Sequence, residues 1–223
     1  MNKPLISVVI VTRDRNKEVS LCLRSIFEQT FKTLEVVVVD NASNIDVKKS
    51  LGSKFPKVKF VKSNINLGGA GGRNLGFLHT KGQYILFMDD DATADKEMIS
   101  ELFKIIGKDK QSLADSAGKK IGIVQPKIYE KERPDYIQGV GHGINLKTGR
   151  VYGIGVHEKD IGQYESVMEI PMAGCTWMVS REVFEKIGDY INSFAALNYA
   201  HGWIDSGARL KIFKVTDNNL FTV

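Results

Sequence analysis

Leu5-Ile6-Ser7-Val8-Val9-Ile10-Val11 is an apolar, largely β-branched run, and the polar Thr12-Arg13-Asp14-Arg15-Asn16 ends it. A strand that is apolar throughout rather than at alternate positions is one covered on both faces, as strands of parallel sheets are. The five polar residues make the first candidate site loop. From Lys17 to Gln29, Val19, Leu21, Leu23, Ile26 and Phe27 recur at mostly helical spacing, and Leu34–Val39 then repeats the buried-strand pattern before Asp40-Asn41-Ala42-Ser43. A helix around Asp46–Lys54, a third strand at Val58–Lys62, a glycine-rich stretch over 66–76, a short helix and a strand over 83–88 continue the alternation. Strands alternating with helices predict an α/β fold with a mostly parallel central sheet, and such sheets bind ligands at the carboxyl ends of their strands. Thr12-Arg13, Asp40-Asn41, Asn66-Leu67 and Asp89–Asp91 all fall at those ends. Four polar clusters converging on one edge argue more strongly than any one of them.

The fourth of these strands carries the chemistry. Tyr84-Ile85-Leu86-Phe87-Met88 delivers Asp89-Asp90-Asp91 directly to the rim. Three adjacent carboxylates repel one another unless a cation or hydrogen-bond donors compensate them. Alternate residues of an extended chain point the same way, so Asp89 and Asp91 can share one divalent ion. An all-oxygen set suits Mg²⁺ or Mn²⁺, and an ion held by so few protein ligands takes water and substrate phosphates for the rest. The bland alternative is a helix N-cap with solvated acids, because Ala92–Ile106 reads as a helix. Likewise Asp40-Asn41 can be a simple Asx turn.

With 223 residues, 43% hydrophobic and 26% charged, the chain reads as one globular domain, 1–223. No segment approaches the ~20 apolar residues of a membrane span, and the start at Met1-Asn2-Lys3-Pro4 lacks signal-peptide character, so a cytoplasmic protein is expected. Cys22 and Cys175 are read as buried thiols without metal-ligand spacing. A net charge of +5 favours anionic partners such as nucleotide sugars or lipid head groups, but its scatter gives no case for nucleic acid. Peripheral membrane association and homo-oligomers are both compatible with this composition. In the second half, Ile121–Tyr129 looks like a strand, 130–166 like antiparallel ribbons and loops, Met172–Ser180 like an apolar run containing Gly174, 181–187 like a helix and His201–Lys211 like a last helix.

Taken together, five stretches resemble an inverting family 2 glycosyltransferase of the GT-A fold. They are Ser7–Thr12, Glu35–Ser43, Asn66-Leu67-Gly68-Gly69-Ala70-Gly71-Gly72-Arg73-Asn74, Met88–Asp91 and Gly174–Arg181. The glycine stretch and triple aspartate are more similar to rhamnosyl- and galactofuranosyltransferases than to the family at large. The resemblance, spanning roughly residues 4–210, implies a Rossmann-like sheet flanked by helices. A nucleotide-sugar half (about 1–106) would precede a smaller, irregular antiparallel acceptor-side half (about 107–223).

The resemblance also implies roles. Thr12, Arg13, Asp40 and Asn41 would hold base and ribose; Asn66, Gly68, Gly69, Arg73 and Asn74 would lie against the donor, the glycines allowing close backbone approach. Asp89 and Asp91 would serve Mg²⁺ or Mn²⁺, Asp90 would face the ribose or donor sugar, and His201 would complete the metal shell. An acceptor hydroxyl, freed of its proton by a base, would displace the nucleoside diphosphate in one step. The family's helix signature ends Asp-x-x-x-Arg, matched by Asp205-Ser206-Gly207-Ala208-Arg209, but Gly202-Trp203 stands where an acidic pair is expected. Asp205 is then the candidate base, with Asp189 as a substitute, although an Asp–Arg pair four residues apart is also an ordinary helix salt bridge. Three readings follow: a transferase moving sugar from a UDP- or dTDP-sugar to a glycan or lipid-linked acceptor in cell-surface polysaccharide synthesis, at the inner face of the membrane; an inactive nucleotide-sugar-binding module; and a nucleotidyltransferase.

Overall fold

The structure, a computed structural model, describes residues 5–107 and 121–185. The first half alternates as its pattern predicts: β1 (Ile6–Thr12), α1 (Asn16–Phe27), β2 (Leu34–Asn41), α2 (Val47–Leu51), β3 (Val58–Ser63), α3 (Gly68–Leu78), β4 (Tyr84–Asp89) and α4 (Met98–Ile106). Short strands follow: β5 (Ile123–Val124), β6 (Ile128–Tyr129), β7 (Ile137–Gly139), β8 (Gly141–Ile144), β9 (Val151–Ile154) and β10 (Trp177–Ser180). A six-stranded sheet has the order β3-β2-β1-β4-β10-β5. β1 pairs in parallel with β2 and β4, β2 with β3, and β10 runs antiparallel between β4 and β5.

The two-sided apolar character of β1 has its cause in this layering. Ile6, Val8 and Ile10 join Val19, Leu23 and Ile26 of α1 and Ile99 and Leu102 of α4 in one core. Val9 points the other way, into a second core with Val37, Ile85, Phe87, Val179 and Phe184. Phe87, Trp177 and Phe184 pack ring against ring there, with Phe77 of α3 on Phe184.

Several boundaries differ from the expectations. The glycine-rich stretch is not a loop ahead of a helix but α3 itself. The reason is contact with the sheet: a Cβ on Gly72 would lie 2.5 Å from Cγ1 of Val11, and one on Gly76 2.4 Å from Cγ1 of Val9. Spaced four apart, the two glycines make a flat stripe on which α3 seats directly against β1. α4 starts at Met98 rather than Ala92 because α1 captures the intervening backbone. Ser25 Oγ accepts from Ala94 N (3.0 Å), the buried Gln29 donates to Asp95 O (2.6 Å), and Gln29 Oε1 accepts from Ile99 N (3.0 Å). The strand expected over 121–129 splits into β5 and β6 around Pro126, which has no N–H to give a ladder.

Residues 128–154 form two antiparallel ribbons, β6 with β7 and β8 with β9, as the composition of that region suggested. Of the apolar run Met172–Ser180, Trp177–Ser180 is strand, and helical conformation begins at Arg181. Among the described residues no helix is long and apolar enough to cross a membrane.

Candidate functional site

Strand register assembles the site. Thr12 lies opposite Asp40 and Val11 opposite Asp89, so β1, β2 and β4 end level with one another. α1 and α3 each follow a parallel strand of this sheet, so both begin at the same edge, and neither has a side-chain hydrogen bond at its N-cap. Their amino ends contribute partial positive charge to the rim.

The three aspartates separate into two environments. Asp90 is drawn inward: Thr12 Oγ1 donates to its Oδ2 at 2.7 Å in a buried hydrogen bond, and Arg15 Nη1 reaches its Oδ1 at 3.2 Å. Burial raises its pKa, against the opposing pull of Thr12 and Arg15. Asp89 and Asp91 stay accessible, their side chains 33% and 52% exposed against 9% for Asp90. Arg73 Nη2 of α3 pairs with Asp89 Oδ1 at 2.8 Å, and Arg15 Nη1 pairs with Asp91 Oδ2 at 2.8 Å. Two arginines thus compensate the carboxylate repulsion anticipated from the sequence. Among the described residues no group of three or more His, Cys, Asp or Glu is placed to hold a metal ion. Asp89 and Asp91 are oxygen donors of the kind a hard cation takes, and each is paired here with an arginine.

Asp40 is buried, and both of its oxygens are engaged. Oδ1 accepts from Ser43 N (2.9 Å) and Oδ2 from Val47 N (3.2 Å), which shapes the β2–α2 loop. The turn role is therefore realised, and base recognition would draw on the lone pairs left over. Asn41 ties this loop to the start of α3: its amide donates to Asn66 Oδ1 (3.0 Å) and Gly68 O (3.1 Å), and its oxygen accepts from Leu67 N (2.9 Å). Gly68, at φ +68°, opens the helix with clear space around its Cα, and a Cβ on Gly69 would meet only the Arg73 side chain. Asn74 follows Arg73 on the same helix.

Asp14 (φ 57°) and Ala42 (φ 65°) both sit in left-handed backbone, and the two loops clamp each other there. Asp14 accepts from Asn44 N (2.7 Å) and Asn44 Nδ2 (3.2 Å), and its own N–H donates to Ser43 Oγ (3.0 Å). Arg13, expected to contact the ligand, is exposed and only loosely paired with Asp14, at 3.9 Å. Arg15 is the residue the sequence reading did not single out. Its place inside the first site loop was the available signal, but only tertiary contact distinguishes it from Arg13.

Cysteine expectations divide. Cys22 is buried as expected, and burial together with the three aspartates pushes its thiol up to about 12. Cys175, expected to be buried, is exposed: its thiol lies beside Asp89, raised first by partial burial and then by that carboxylate. The strand β10 that follows it packs against β4, which is what brings it to the rim. Next to it a cavity of about 100 Å³ opens among the ribbons and the segments that follow β5 and precede β10, lined by Gln125, Ile128, Gln138, His142 and Cys175. The candidate base Asp205, its substitute Asp189 and the candidate ligand His201 lie outside the described residues.

The chain as a whole is similar to known proteins. The profile of "Glycosyl transferase family 2" matches residues 7–188, and that of a "Protein of unknown function (DUF357)" matches 181–213. An uncharacterized glycosyltransferase of Haemophilus influenzae is 31% identical over 102 residues, 46% of this chain and 34% of its own length. A Campylobacter jejuni GalNAc(5)-diNAcBac-PP-undecaprenol beta-1,3-glucosyltransferase is 33% identical over 92 residues, 40% of this chain and 30% of its own. The chain thus spans about a third of the length of these curated relatives. Among solved structures, a mannosyltransferase of Pyrobaculum calidifontis in complex with GDP-Man and Mn²⁺ aligns with TM-score 0.55 at 18% identity, over 84% of this chain and 48% of its own. At that identity the likeness speaks for the fold, which is of the GT-A type.

Proposed function

Because the chain belongs to glycosyl transferase family 2, we propose that it transfers a sugar, with inversion, from a nucleoside diphosphate donor to a glycan or lipid-linked acceptor in cell-surface polysaccharide synthesis. The observation that carries this reading is the division of labour among the strand-end acids. Thr12 withdraws Asp90 into the sheet, while Asp89 and Asp91 remain at the rim beside two arginines and two helix N-termini. Fixed positive charge and helix N-termini at such a rim attract a diphosphate. A UDP- or dTDP-sugar is the donor class argued from the resemblance. The undecaprenol-linked acceptor in the Campylobacter relative's name supports a lipid-linked acceptor here, met at the inner face of the membrane.

Within this reading each group has a task. Asp40 and Asn41 shape the floor on which the base and ribose lie, and Asp90 fixes Thr12 and Arg15 beside it. Arg15 and Arg73 place fixed positive charge where the diphosphate would sit, and the open backbone at Gly68 and Gly69 lets it approach. Asp89 and Asp91 would hold Mg²⁺ or Mn²⁺, with His201 as a further ligand; the ion, when bound, neutralises charge on the departing diphosphate. The cavity beside Cys175 is the space for the sugar and the incoming hydroxyl. Asp205 is the proposed base. A second reading, donor binding with weak or no transfer, has its own motivation in Gly202-Trp203, which replaces the acidic pair. Family membership weighs against the nucleotidyltransferase reading.

Calorimetry with UDP, dTDP and GDP, with Mn²⁺ and with EDTA, tests the donor site. Removing the cation, or one of its proposed ligands by Asp91→Ala, is expected to weaken nucleoside diphosphate binding by about a hundredfold, because the positive charge the ion adds between carboxylate and diphosphate is then lost. Unchanged affinity in either case overturns the metal assignment. Release of nucleoside diphosphate with an acceptor pool separates the two readings: loss in Asp205→Asn supports the base, and gain in Trp203→Asp supports the weakly active module.

A further inference from the structure

The turn joining β8 to β9 is built more rigidly than an idle loop requires. Asn145 organises it: its Oδ1 accepts from Lys147 N (3.0 Å) and Thr148 N (3.2 Å), its carbonyl accepts from Gly149 N (2.7 Å), and its N–H donates to Arg150 O (2.8 Å). Gly149, at φ +66°, supplies the left-handed residue that closes the turn. This ordered tip projects Leu146, which is 92% exposed, and behind it Val151 and Tyr152 are exposed by 51% and 57%. Tyr152 is held in its place by Gly143 across the ribbon, where a Cβ would come within 2.3 Å of the ring. Lys147 and Arg150, both exposed, flank the leucine, and no Asp or Glu occurs from Tyr136 to His157.

A projecting aliphatic residue between two cations, backed by tyrosine and free of acids, is the chemistry that suits the headgroup region of an anionic bilayer. We propose that the β8–β9 tip docks this protein on an anionic lipid surface, Leu146 entering the interface and Lys147 and Arg150 pairing with lipid phosphates. A second copy of the chain fits less well. The tip offers far less apolar area than a stable dimer buries, and its cations would face their own like charges. At the hairpin's other end Gly141 and His142 line the cavity beside Cys175, and His142 pairs with Met172. The four residues of β8 span about 13 Å, so docking at the tip sets the cleft about that far from the headgroups. This placement rests on the transferase reading only in that a lipid-linked acceptor is what the cleft would then meet.

Co-sedimentation of the full chain with phosphatidylcholine vesicles, with and without phosphatidylglycerol, tests the docking, with UDP binding measured on the same samples. Wild type is expected to partition onto the anionic vesicles only, less so at high salt. Leu146→Ser is expected to lower partitioning about fivefold and Lys147→Glu/Arg150→Glu about twentyfold or more. Thermal melts and UDP binding of the variants should match wild type. Absent partitioning, equal partitioning onto neutral vesicles, or undiminished partitioning of both variants overturns the proposal. So does a fall in oligomeric state with Leu146→Ser, which would assign the tip to self-association. Vesicle binding without any nucleoside diphosphate binding would instead remove the transferase reading and leave the docking in place.

Discussion

The parallel half of the molecule and its ribbon half are held together by different physics. In β1, β2 and β4 the interior is apolar on both faces and buried, and register alone aligns Thr12, Asp40 and Asp89. The ribbons have strands of two to four residues and are joined by charged clasps. Lys127, itself mostly buried, binds Asp160 (2.6 Å) and Glu165 (2.9 Å), while Tyr129 donates to Asp160. Glu130 pairs with Arg133 (2.7 Å) and His157 (2.6 Å). Many of the exposed large apolar residues, including Leu146, Tyr152, Ile161 and Val167, belong to this half. Hydrophobic burial fixes the parallel half as one cooperative unit, whereas the ribbon half hangs on a few polar contacts and can change locally without unfolding the sheet.

The largest effect that would break this contrast lies under α3. Gly76→Val forces a side chain into Val9 and should destabilise the whole fold by about 3 kcal/mol or more, read as a lower urea midpoint for every probe. A variant that melts only α3 would show that the parallel half is less cooperative than its burial implies. In the ribbons, Lys127→Met should speed amide exchange about tenfold around 128–139 and 159–165 and leave β1–β4 unchanged. The same clasp gives a pH dependence. Lys127 first, then Tyr129, hold the Asp160 carboxyl down to about 2. A depressed carboxylate contributes stability above its unfolded value, so ribbon protection should fade only as pH falls from about 4 toward 2.

The smallest effect sharpens the comparison, because it concerns a charge placed inside the apolar half. Burial raises the Asp90 pKa above its unfolded value. Its contribution to stability is therefore full below the unfolded carboxylate range and is lost as pH rises through the folded pKa. Asp90→Asn should raise the melting temperature by about one to a few degrees at pH 7, the gain vanishing as pH falls toward 4, while nucleoside diphosphate binding weakens. A destabilised Asp90→Asn would mean that Thr12 and Arg15 outweigh the burial.

Residue pattern alone determined the alternation of strands and helices, the edge at which polar clusters gather and the identity of the acid-bearing strand. These follow from local rules: a strand apolar throughout must be covered twice, and a parallel strand must end where its helix begins. What only the tertiary structure decided is which polar residues meet. Arg15 rather than Arg13 reaches the aspartates, Gly72 and Gly76 serve packing rather than a loop, and Cys175 comes to lie beside Asp89. Each depends on partners 60 or more residues away, Arg15 on Asp91, Gly72 on Val11 and Cys175 on Asp89, with separations fixed by sheet order and register. No local period encodes that geometry, because side-chain spacing sets which face a residue occupies and only packing sets what stands across from it.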